Sequence, residues 1–110
     1  MDFSFASKKL KKQLSDDAQM KKAFGENAKK LQLRLGVLRN ATCLADVPNG
    51  PPDRCHQLHE NRDEHFAVVL RRNWRLEFQV DHSPIPRKND GGIDLNQVTS
   101  IKILGVVDYH

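Results

Sequence analysis

The hydrophobic pattern of this chain changes period across a single central loop. From Leu10 to Asn49-Gly50-Pro51-Pro52-Asp53, apolar residues recur every three to four positions; after it they alternate. The first spacing lines one stripe of a helix, and the second lines one face of a strand. A chain that follows one short strand with its helices and then with a run of strands folds as α+β, not as repeated βαβ units.

The elements can be read in order. Asp2-Phe3-Ser4-Phe5-Ala6 alternates and predicts a short first strand. Ser7 is a helix N-cap for a segment carrying Leu10 and Leu14. Asp16 and Asp17 suit the start of a second helix, where carboxylates meet the positive dipole end. Its apolar stripe is Met20, Phe24, Ala28, Leu31, Leu35 and Leu38, widened by Leu33 and Val37. Gly25 is a candidate break, and Lys22, Lys29, Lys30 and Arg39 occupy the opposite face. Residues 65–71 and 74–80 read as two strands separated by Arg72-Asn73, hence a hairpin. Trp74 then faces the core and Arg75 the other side of the sheet. Residues 81–97, with two prolines and two glycines among polar residues, predict a long, mobile loop before a last strand at Ile101–Val107. The expectation is one domain spanning 1–110. It is an α+β two-layer sandwich, with an N-terminal strand and two helices packed on an antiparallel sheet.

Charge is unevenly spread. Residues 1–40 hold ten Lys/Arg against four acids, so +6 of the net +4 lies there and the remainder is −2. A basic half points to a polyanion, nucleic acid first, or to a solvated lysine face. Cys43 and Cys55 form no CxxC pair and predict reduced thiols. No run approaches the ~18 apolar residues of a membrane span, and no signal peptide is evident, so a cytoplasmic location is expected.

Three polar stretches carry candidate chemistry. Asp108-Tyr109-His110 follows the last apolar strand, where a titratable cluster makes poor core. Arg54-Cys55-His56-Gln57-Leu58-His59-Glu60-Asn61-Arg62 supplies two imidazoles, and Asn73-Trp74-Arg75-Leu76-Glu77-Phe78 supplies an exposed guanidinium. Such groups transfer protons or hold phosphate. His56 and His59 have H-x-x-H spacing, but a structural zinc site needs about four ligands and no second pair is present. Arg75 paired with Glu77, and the histidines as ordinary surface residues, are the plainer readings.

In this order, the three stretches resemble the HigB branch of the RelE-type bacterial toxins. The similarity runs from about Gly25 to the C-terminus and includes Ala28-Lys29-Lys30-Leu31-Gln32-Leu33-Arg34-Leu35 and Leu38-Arg39-Asn40-Ala41. The resemblance implies a ribosome-dependent endoribonuclease that cuts mRNA in the ribosomal A site without metal or other cofactor. It implies a helix-turn-helix, HigA-like antitoxin as partner. His56, His59, Arg75, Asp108, Tyr109 and His110 are then the catalytic set, and Arg62, Arg71, Arg72, Lys29 and Lys30 contact RNA. Two departures stand out. His59 falls where the family pattern has Lys, and Glu60-Asn61 replaces Gly-Asp; the 81–97 segment is an insertion relative to compact members. A binding-only member of the same toxin fold is the alternative expectation.

Overall fold

Side-chain caps set where the first two helices of this chain begin. A computed structural model describes residues 1–58 and 64–109. β1 (Asp2–Phe5) leads into α1 (Lys8–Gln13), where the Ser7 hydroxyl accepts from the Leu10 N–H at 3.1 Å. α2 (Asp17–Phe24) starts with the Asp16 carboxylate accepting from the Gln19 N–H at 2.8 Å. Each cap satisfies a backbone donor that the first helical turn leaves without a partner. Gly25 then stops α2 at φ 53°, in left-handed space that glycine enters without steric cost. A 3-10 turn over Gly25–Asn27 precedes α3 (Ala28–Asn40), so the expected break is present.

β2 (His56–Gln57), β3 (His65–Val69), β4 (Trp74–Val80) and β5 (Ser100–Asp108) complete a sheet of order β1-β5-β4-β3-β2. β2 to β5 are antiparallel neighbours, whereas β1 lies parallel to β5 with Asp2 opposite Ser100. The sheet is therefore mixed, which corrects the antiparallel sheet expected from sequence. Alternation fixes the face a residue takes, not the direction of its neighbour. β1 is held on both faces. Phe3 and Phe5 pack against the core, and the Ser4 hydroxyl donates to the Asp81 carboxylate at 2.9 Å.

One core joins the two layers. Leu10, Leu14, Met20, Leu31, Leu35 and Leu38 from the helices meet Phe66, Val68, Leu76, Phe78, Val80, Ile101 and Ile103 from the sheet. Phe66 and Phe78 are cross-strand partners with ring centroids 6.0 Å apart. Leu33 does not widen this stripe: it is 54% exposed. Counting from Leu31, a 3.6-residue period puts position 34 on the buried face and position 33 behind it. The buried residue there is Arg34.

Arg34 is held by three groups. Its Nε donates to the Val69 carbonyl at 2.7 Å and its Nη2 to the Pro52 carbonyl at 3.2 Å. Its Nη1 lies 3.6 Å from the buried Asp53 carboxylate. The Val69 N–H in turn donates to the Asp53 carbonyl at 2.9 Å. Helix, strand end and loop are thereby tied at one point.

The segment expected to be a mobile loop carries regular contacts. Arg87 and Ile93 form an isolated antiparallel bridge, a 3-10 turn spans Leu95–Gln97, and Ile93 and Val98 are buried in the core. His82 Nε2 accepts from the Thr99 and Ser100 N–H groups at 3.0 and 3.2 Å. Farther along, β5 bulges. Phe78 pairs with Ile103 but Glu77 pairs with Gly105, so Leu104 is an extra residue. Before the bulge Ile101 and Ile103 face the helices; after it the even-numbered Val106 does.

Replacing Arg34 by Met strands a buried carboxylate. The expected loss is about 3 kcal/mol, and adding Asp53→Asn restores part of it. Urea denaturation of the wild type, the single and the double variant checks this. A single-variant loss below about 1 kcal/mol contradicts the assigned role.

Candidate functional site

Strand register assembles the sheet face that turns away from the helices. His56 pairs with Ala67, Ala67 with Glu77, and Glu77 with Gly105, so these four form one row across β2, β3, β4 and β5. The adjacent row is Val69, Arg75 and Val107. Directly paired residues share a face. His56 is thus two strand spacings from Glu77, about 10 Å at ~4.8 Å per strand. The smallest side chains lie on either side of Glu77, at Ala67 and Gly105. A Cβ built on Gly105 would meet open space, and its φ of 157° disfavours any side chain.

Tyr109 closes over this region. Its N–H donates to the Asn73 carbonyl at 2.9 Å, and its hydroxyl donates to the Glu77 carboxylate. The Arg75 guanidinium carbon sits 5.9 Å from the Tyr109 ring centroid, within cation–π range. Arg75 Nη1 also donates to the Arg72 and Trp74 carbonyls, at 3.1 and 2.9 Å. These bonds hold the guanidinium against the hairpin end. Arg72 itself adopts φ 52°, a left-handed turn position.

His56 is exposed at the outer end of its row. Its Nδ1 lies 2.8 Å from the Arg54 carbonyl. A carbonyl only accepts, so Nδ1 carries the proton and Nε2 is the basic nitrogen of the neutral ring. Arg54 turns the chain into β2 at φ 47°.

The remaining sequence-predicted residues do not all join this group. Asp108 pairs with Trp74, whose side chain packs on the core, so it leaves β5 on the opposite side from Tyr109. It lines a small cleft with Arg72, Asn73 and Trp74. Arg71 forms an ion pair with Glu26 at 2.6 Å, and its N–H donates to Asn27 Oδ1 at 3.1 Å. Lys29 and Lys30 belong to α3, in the layer behind the sheet. His59, Arg62 and His110 lie outside the described residues. The face thus unites His56, Arg75 and Tyr109, while Asp108, Lys29 and Lys30 stand elsewhere.

One member of the group was not singled out from sequence. Glu77 sits two residues after Arg75 in an alternating strand, so its place on the same face was readable. Its engagement with a residue 32 positions later carried no local signal. Among the described residues no cluster of three or more His, Cys, Asp or Glu is arranged to hold a metal, and no helix is long and apolar enough to cross a membrane. In comparisons with known proteins, no protein-family model matches the chain and no curated protein is detectably similar to it.

The cysteines are free thiols. Desolvation by burial, and then the Asp53 carboxylate, pushes the Cys55 thiol from about 9 up to about 12. Thiolate is the reactive form. Cys55 should therefore resist thiol reagents at pH 8 in the folded protein and react at once in denaturant. The unfolded thiol ionises near pH 9 and the folded one near 12. The unfolded state then binds fewer protons in this window, and stability falls as pH rises through it. Denaturation midpoints at pH 8, 9 and 10 test the sign; a flat profile removes the desolvation argument.

Proposed function

We propose that this protein is a RelE/HigB-like toxin: a ribosome-dependent mRNA endoribonuclease, restrained by a helix-turn-helix antitoxin. The observation that supports this reading is the convergence of His56, Arg75 and Tyr109, from three separated stretches, on one sheet face. The reaction is metal-independent transesterification. The ribose 2′-oxygen bonds to phosphorus as the bond to the 5′-oxygen breaks. A base removes the 2′ proton, an acid protonates the leaving oxygen, and the ends are a 2′,3′-cyclic phosphate and a 5′-hydroxyl.

Arg75 stabilises charge that develops on the phosphoryl oxygens. Tyr109, steadied by Glu77 and Arg75, offers its ring to a base of the bound strand. In this scheme His110 is the base and His56 or His59 the acid. As acid, His56 enters as imidazolium, with Nδ1–H still donating to Arg54 and the Nε2 proton delivered. A binding-only role has one observation in its favour: Arg75 Nη1 is already engaged by two backbone carbonyls.

Cleavage of mRNA on programmed ribosomes, with EDTA present, tests the reading. Wild type should produce cyclic-phosphate ends. Arg75→Ala should lower the cleavage rate about 100-fold while ribosome affinity changes far less, because its charge matters most in the transition state. Equal losses in both would make Arg75 a docking residue. No cleavage by folded wild type would leave the binding-only reading.

A further inference from the structure

We infer that Glu77 is a positioning residue of this site, acting through Tyr109; the inference rests on the ribonuclease reading. Three observations carry it. The Glu77 carboxylate accepts the hydrogen bond from the Tyr109 hydroxyl. In its row Glu77 is bordered by Ala67 and Gly105, so no bulky neighbour in register stands between the carboxylate and a ring arriving from the chain end. The same ring is approached by Arg75 on the adjacent row.

The consequence is mechanical and electrostatic. Tyr109 is the first residue after β5 and is 37% exposed, so its ring lies at the surface and outside the hydrophobic core. A hydrogen bond to a charged acceptor is roughly twice as strong as one between neutral groups. Glu77 thereby sets the height and tilt of the ring against the sheet. The Arg75 guanidinium, 5.9 Å from the same ring, offsets part of the repulsion that a bare carboxylate would exert on an RNA phosphate. Glu77 touches no reacting atom in this scheme; it decides where the Tyr109 ring stands.

The test uses three variants and two readouts. Tyr109 is the sole tyrosine, so ζ-carbon-labelled tyrosine gives a single carbon resonance. Glu77→Ala should shift that resonance, and Glu77→Gln, which keeps an acceptor oxygen, should shift it less. On ribosomes, Glu77→Ala and Tyr109→Phe should each lower kcat about tenfold with KM unchanged, and Glu77→Gln should retain most activity. The double variant should lose no more than either single, because both remove one contact. An unmoved resonance, undiminished cleavage by Glu77→Ala, or additive losses in the double variant would each overturn the assignment while leaving the ribonuclease reading in place. Inactivity of folded wild type would overturn the ribonuclease reading, and this role with it.

Discussion

A single buried guanidinium ties the helical layer to the chain segments that frame the far sheet face. Arg34 extends from the buried side of α3 and meets the end of β3 through Val69 and the preceding loop through Pro52 and Asp53. Asp53 and Val69 are themselves bonded, so the connection closes on itself. Burying such a pair brings little net stability, since desolvation offsets much of the attraction. What it supplies is geometry. Hydrophobic packing alone would let α3 slide along the sheet; a planar donor fixed by two backbone carbonyls, with a carboxylate 3.6 Å away, allows one position. His56 lies three residues beyond Asp53, so its place beside β3 descends from this junction.

The fold separates two kinds of positive charge. The lysines that make the first forty residues basic belong to the helical layer, while Arg75 belongs to the opposite face of the sheet. The layers are about 10 Å apart, beyond the roughly 8 Å over which surface charges act at physiological ionic strength. The helix lysines therefore contribute to long-range attraction toward a polyanion, and the local field at the candidate site comes from Arg75 and its neighbours. Net charge is a guide to association, and register is a guide to chemistry.

The local features of this fold were legible because they are written in short windows. Ser7, Asp16 and Gly25 act within four residues of themselves, and the alternation from Trp74 to Val80 assigns Arg75 its face. What escaped was long-range. A charged residue inside an apolar stripe reads as an interruption until its partners are known, and the partners of Arg34 are 18 to 35 residues away. The parallel pairing of β1 with β5 joins the two ends of the sequence and leaves no trace in either strand's pattern. At the site, Arg75 and His56 were recognised by residue type and spacing. Glu77 was visible as a neighbour of Arg75 but not as the acceptor for Tyr109, because that contact depends on how β5 ends.

The extra residue in β5 has a wider consequence. Along a regular strand, facing is a matter of parity, and a bulge reverses it for everything downstream. Continued from Ile101 and Ile103 without interruption, the strand would turn Val107 and Tyr109 toward the helices and Asp108 toward Arg75. Leu104 exchanges them. Deleting Leu104 would seat Gly105 directly after Ile103 and keep the facing of every later residue, whereas drawing Leu104 into the ladder would swap which group the sheet offers to solvent, a phenol or a carboxylate. The identity of the surface presented by the end of β5 is thus set less by the residues Asp108 and Tyr109 than by an aliphatic residue several positions before them that stays out of the pairing.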